Sequence, residues 1–146
     1  MEWFNPFGLI FMAAIMIPNV IYAARHKDGF VNRWSSKTVE LIEQIGRYGC
    51  FALMIFNIPG TWFGWWSDCA FACYLIVNAA LILLYCLAWI IGFKKHPMIR
   101  ALLLSVLPSL VFVFSSVMSR SVLLFLAALL FAPAHILISC RNAALG

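Results

Sequence analysis

The chain has 146 residues, of which 65% are hydrophobic and 10% charged, with a formal net charge of +5 and a mean hydropathy of +0.99. Soluble domains carry about 45–50% apolar and about 25% charged residues, so this composition excludes a soluble core. The basic residues lie in short segments flanking apolar runs, where they read as topology signals rather than as a surface for nucleic acid.

A membrane helix needs about 20 mostly apolar residues, because the hydrocarbon layer is about 30 Å thick and each helical residue rises about 1.5 Å. Five such stretches predict an all-α, polytopic five-helix bundle. It forms a single transmembrane domain over residues 1–146, with spans at about 5–24, 45–66, 70–93, 99–118 and 121–140. The opening Met1-Glu2-Trp3-Phe4 lacks the basic region of a secretory signal, so the first span is expected to be retained. Along it, Asn5, Gly8, Met12, Ile15, Asn19 and Tyr22 share one helical face, and Pro18 predicts a kink.

Residues 25–44 form the one substantial polar segment, expected as a cytoplasmic loop with a turn at Asp28-Gly29 and a helical run after Ser35-Ser36-Lys37-Thr38. From that run into the second span, Glu40, Glu43, Arg47, Cys50, Met54, Asn57 and Thr61 recur at steps of three and four. They make a polar stripe that must face protein or water. Glu43 and Arg47 are an i,i+4 pair in the favourable order at the membrane edge, with Glu40 as a second carboxylate there. Pro59 predicts another kink, and Gly60-Thr61-Trp62-Phe63-Gly64 has the GxxxG spacing that permits close helix approach.

The remaining spans carry matching faces: Tyr74, Asn78, Tyr85 and Trp89 in the third, Ser105, Ser109 and Ser116 around Pro108 in the fourth, and Ala128, Ala132, His135 and Ser139 after Pro133 in the fifth. At about 1.5 Å per residue, Asn57, Asn78 and Ser109 fall within about 5 Å of the midplane, and Asn19, Tyr85, Ser105 and His135 roughly 5–7 Å toward the cytoplasm. Nine of the ten Lys and Arg residues flank one side of these spans, and Arg120 alone lies on the other. Basic residues are retained inside, so the N-terminus is expected outside and the C-terminus in the cytoplasm, in a multi-pass cell-membrane protein. Trp3, Trp62, Trp65 and Trp66 gather at the outer interface as an aromatic belt.

Chemical motifs are sparse. The five cysteines form no CxxC pair, and there is no Gly-rich phosphate loop, HExxH or GxSxG, so neither a metal site nor a cofactor is indicated. The first functional reading is binding or transport of a small or amphipathic molecule, in a polar pocket bordered by Asn19, Asn57, Asn78 and His135. The second is an accessory subunit whose small-residue stripes dock another membrane protein or a second copy of the chain. Third stands an enzyme at the cytoplasmic interface, with Glu40 or Glu43 and His135 as acid-base groups and Arg47, Lys94, Lys95 or Arg100 gripping a head group. The lack of a catalytic motif ranks it last. The partners implied are the lipid bilayer, a small-molecule ligand and another membrane chain, with no nucleic acid.

Overall fold

The computed structural model describes residues 3–25, 34, 36–92 and 95–145. The Asp28-Gly29 turn, His26, Lys27, Arg33, Ser35 and Lys94 lie outside the described residues. Within the described residues the chain folds as α1 (Pro6–Arg25), α2 (Lys37–Ile55), α3 (Asp68–Ile91), α4 (Pro97–Ser119) and α5 (Val122–Leu145), with no β-strand. Four of these, α1, α3, α4 and α5, are long and apolar enough to cross a membrane. Their outward faces carry large apolar side chains, such as Ile10, Ile17, Ile76, Leu83 and Ile90, as a lipid-facing surface requires. The protein is membrane-embedded and multi-pass.

The second expected span is corrected. Helix α2 begins eight residues before 45 and ends at Ile55, and its charged first half keeps it out of the set of apolar spanning helices. Beyond it, Phe56 is extended (φ −114°, ψ 130°), Pro59 has no N–H to continue a helical ladder, and Gly60 and Gly64 take φ of +87° and +81°. A helix cannot pass through left-handed residues. Pro59 is therefore a turn proline, and the GxxxG spacing does not describe a helix face. Prolines lie inside three helices, at Pro18, Pro108 and Pro133.

Packing follows a ring. Helix α2 packs mainly on α5, α5 on α4 and α4 on α3, while α1 closes the circuit with thinner contacts to α3 and α2. The predicted faces turn inward: Gly8, Met12 and Ile15 in α1, Glu43, Cys50 and Met54 in α2, Tyr74, Asn78 and Tyr85 in α3, Ser105, Ser109 and Ser116 in α4, and Ala128 in α5 are buried. Close approach is built from glycine. A Cβ at Gly8 would clash with the Met54 carbonyl oxygen, and one at Gly46 would stand 2.6 Å from the Phe131 backbone nitrogen. At the Pro18 kink the missing N–H frees the Ala14 carbonyl, which the Cys86 thiol approaches at 4.0 Å.

Irregular segments cap one end of the ring. Asn5 N–H donates to the Ile55 carbonyl (2.7 Å) and Asn57 N–H to the Trp3 carbonyl (2.7 Å), while Val122 N–H donates to the Thr61 carbonyl (3.0 Å). The start of α1, the chain after α2 and the α4–α5 turn are thus pinned together. Arg120, the one basic residue on this side, holds the cap. Its guanidinium donates to the Gly64 (2.8 Å) and Phe63 (2.5 Å) carbonyls and lies 5.1 Å from the centre of the Trp66 ring. Its φ of 52° is left-handed. Arg120→Ala should therefore lower stability by about 1–2 kcal/mol through lost charge-assisted bonds. Arg120→Gly should recover about 1 kcal/mol of that by relieving the backbone. Thermal unfolding of the two purified variants gives the comparison, and equal midpoints would deny the strain.

Candidate functional site

Two polar sites lie within the ring, joined by one face of α2. The periodicity that buries Glu43, Gly46, Cys50 and Met54 on a single stripe presents a carboxylate to α5 near the start of the helix and a thioether to the capped end.

At the first site the Glu43 side chain is 4% exposed. Its Oε1 accepts from Arg47 Nη2 at 2.5 Å and Nε at 3.0 Å, one turn along the same helix. His135 Nδ1 of α5 reaches the same oxygen at 3.2 Å. The imidazole stacks on Phe131 with centroids 4.6 Å apart and planes 19° from parallel. Gly46, with no side chain, lets α2 lie directly against the Phe131 backbone and so brings Glu43 within reach of His135. Glu43's polar contacts among the described residues are these two. Glu40, half-buried one turn earlier, has polar contacts of its own.

At the second site a cavity of about 10 Å³ lies under the cap, bordered by Asn5, Asn57, Trp65, Tyr74, Ser115 and Ser119, with Met54 of α2 and Leu124 of α5 beside them. That volume is room for about one water-sized group. Asn5 Nδ2 donates to the Tyr74 hydroxyl (3.0 Å), and Asn78 Nδ2 donates to the Ser115 hydroxyl (2.9 Å). Both hydroxyls accept in these bonds, so each has its own proton to donate. Asn78 is fully buried, and its Oδ1 has no hydrogen-bond partner among the described residues. No charged side chain borders the cavity.

The four residues expected around one pocket are placed apart. Asn57 borders the cavity, and Asn78 stands behind it through Ser115. Asn19 instead donates to the Ile15 carbonyl (2.8 Å) and to the Tyr85 hydroxyl (2.8 Å), fastening α1 to α3. His135 belongs with Glu43. Asn57 also lies beyond the helix that was to carry it, which ends at Ile55, and belongs to the capping segment. Tyr74 was legible on its polar face. Asn5 lay on the α1 stripe, whereas Ser115 and Ser119 carried only their own spacing of four along α4. Of the basic residues assigned to a head group, Arg100 lies over the adjoining Tyr22 and Trp89 rings, 5.2 Å from each centre. Among the described residues no group of three or more His, Cys, Asp or Glu is placed to hold a metal.

Comparison with protein families, characterised proteins and solved structures yields no match.

Proposed function

We propose that this chain crosses the membrane five times, with its N-terminal end outside and its C-terminal end in the cytoplasm, and that it binds or passes a small, uncharged, hydrogen-bonding solute at the cavity beneath the cap. The observation that carries this reading is the unspent hydrogen-bonding capacity there. Tyr74 and Ser115, each with a hydroxyl proton to donate, border a water-sized space inside a membrane bundle, and the Asn78 carbonyl oxygen is unanswered behind Ser115, where an unpaired polar group is expensive. A lining without charge favours a neutral solute, and the volume favours one of a few heavy atoms over an amphipathic molecule. The reading as an accessory subunit loses support because Gly8, Gly46 and Gly49 are taken up by contacts within the chain.

A fifth crossing by α2 is supported by its 19 residues, about 28 Å of helix. Its Glu43 is sheltered by α5 rather than turned to lipid. Orientation is supported by the partition of Lys and Arg. Cys69 and Cys73 are exposed at the outer start of α3 and provide natural probes. An impermeant thiol reagent added to intact cells should label them and spare Cys140; the opposite pattern would reverse the orientation.

The solute itself is tested in proteoliposomes subjected to inward gradients of formamide, acetamide or glycerol, with volume followed by stopped-flow light scattering. At least one solute should enter several-fold faster than into protein-free liposomes, and Asn57→Leu should abolish the difference while leaving insertion intact. Entry no faster than in protein-free liposomes for the whole series would sink the proposal.

A further inference from the structure

The carboxylate that α2 buries against α5 is not needed to hold a neutral solute, and its surroundings give it a chemistry of its own. Glu43 and Arg47 compensate each other within α2, so α2 keeps a charged pair without a net charge. His135 then approaches the same carboxylate oxygen from α5. It is 24% exposed against 4% for Glu43, so the imidazole is the more open member of the pair. An imidazole with Nδ1 on the carboxylate has Nε2 to accept a proton, and the added charge turns a hydrogen bond from a neutral imidazole into an ion pair.

We infer that His135 and Glu43 form a proton-binding site that locks α2 onto α5. A proton from the cytoplasmic side adds to the imidazole Nε2, the Nδ1–H stays on Glu43 Oε1, and no other bond is made or broken. The groups facing the pair are few. Helix α2 supplies Arg47 and Glu40, and α5 supplies His135. From α1 the ionisable side chains are Tyr22 and Arg25, and from α4 Arg100, with no carboxylate or histidine inside either helix. Apart from Arg47 and His135, none of these bonds to Glu43 among the described residues.

Protonation at this point has a mechanical reach. Glu43 and Met54 lie on one buried stripe of α2, about 16 Å apart along a continuous helix, and Met54 borders the solute cavity. The protonated lock holds α2 in the seat seen here, with the cavity closed to water-sized dimensions. Loss of the proton weakens the only ionic tie between α2 and α5 among the described residues, freeing the Met54 wall. The coupling to solute rests on the reading of the cavity given above, whereas the proton site does not.

The test uses the full chain in lipid nanodiscs, with His135→Gln and the isosteric Glu43→Gln. The thermal midpoint of the wild type relative to either variant should rise by about 3 °C or more as pH is lowered from 8 to 5.5. Adding a proton turns the imidazole's hydrogen bond to the carboxylate into an ion pair, so the tie strengthens as pH is lowered, which fixes this sign. Wild-type and variant profiles that run parallel over the interval would overturn the proton site. Proteoliposomes give the second arm: solute entry should be several-fold faster at pH 8 than at pH 5.5 in wild type and pH-independent in His135→Gln. An acid-dependent midpoint with no solute entry at any pH would uphold the proton site and overturn the solute reading alone. Entry that keeps its pH dependence in His135→Gln would overturn the coupling.

Discussion

Alanine at position 46 should force α2 away from α5. The new Cβ would lie 2.6 Å from the Phe131 nitrogen and 2.8 Å from its Cα, and both are backbone atoms that no rotamer change can move. Overpacking of this kind costs about 1–3 kcal/mol or more, and separation also pulls Glu43 from His135. A loss at the upper end of that range is expected, about 6–12 °C in the unfolding midpoint. Gly49→Ala is the control on the same helix. Its Cβ would meet only the Ala127 methyl at 3.2 Å, and the gain in helix propensity of about 1 kcal/mol offsets a small adjustment. A Gly46→Ala midpoint within a degree of wild type would mean that the two helices are not in backbone contact there.

Removing Arg47 should be nearly as damaging, and for an electrostatic reason that a second substitution reverses. Arg47→Leu leaves Glu43 buried with only an imidazole to balance it. Breaking a buried pair costs about 3–5 kcal/mol, and the lower end applies because the Arg47 side chain is 41% exposed. Combining Arg47→Leu with Glu43→Leu removes the stranded charge and leaves His135 beside an apolar contact. Most of the stability should return, giving a coupling of about 2 kcal/mol in a double-mutant cycle. Strictly additive losses measured by denaturant unfolding would show that the two side chains do not act as a pair.

Where the sequence carried the fold, it did so through length and period. Predominantly apolar runs around Leu9 to Val20, Ile76 to Ile90, Leu102 to Val113 and Leu123 to Ile136 can be satisfied in lipid only as helices, and those four helices stand where they were expected. Helix α2 was displaced because hydropathy weighs Phe56, Ile58, Trp62 and Phe63 as span residues, although Pro59, Gly60 and Gly64 among them cannot continue a helix. The polar stripe at steps of three and four from Glu40 to Met54 was the better guide to its true extent. It was legible as far as Met54 and misleading only at Asn57 and Thr61.

The site was legible in its parts and not in its pairings. Glu43, Arg47 and His135 each stood out as ionisable groups in apolar surroundings, and the Glu43–Arg47 bond is local enough to read from i,i+4 spacing. That His135 meets Glu43 depends on how far α5 slides along α2. Gly46 against the Phe131 backbone sets that register, and neither helix's period encodes it. Asn19 and Asn78 illustrate the same limit, since depth alone placed them near a common pocket while their partners, Tyr85 and Ser115, lie on different helices.

An experimental density map of the chain in lipid nanodiscs, at a resolution that shows bound water, tests most directly whether the cavity under the cap is a binding site. The account predicts a discrete peak within hydrogen-bonding distance of the Tyr74 and Ser115 hydroxyls, strengthened or displaced when the solute that enters proteoliposomes is added. A cavity filled by a rotated Met54 or Leu124 side chain, with the Tyr74 and Ser115 protons donated to backbone carbonyls, would contradict it.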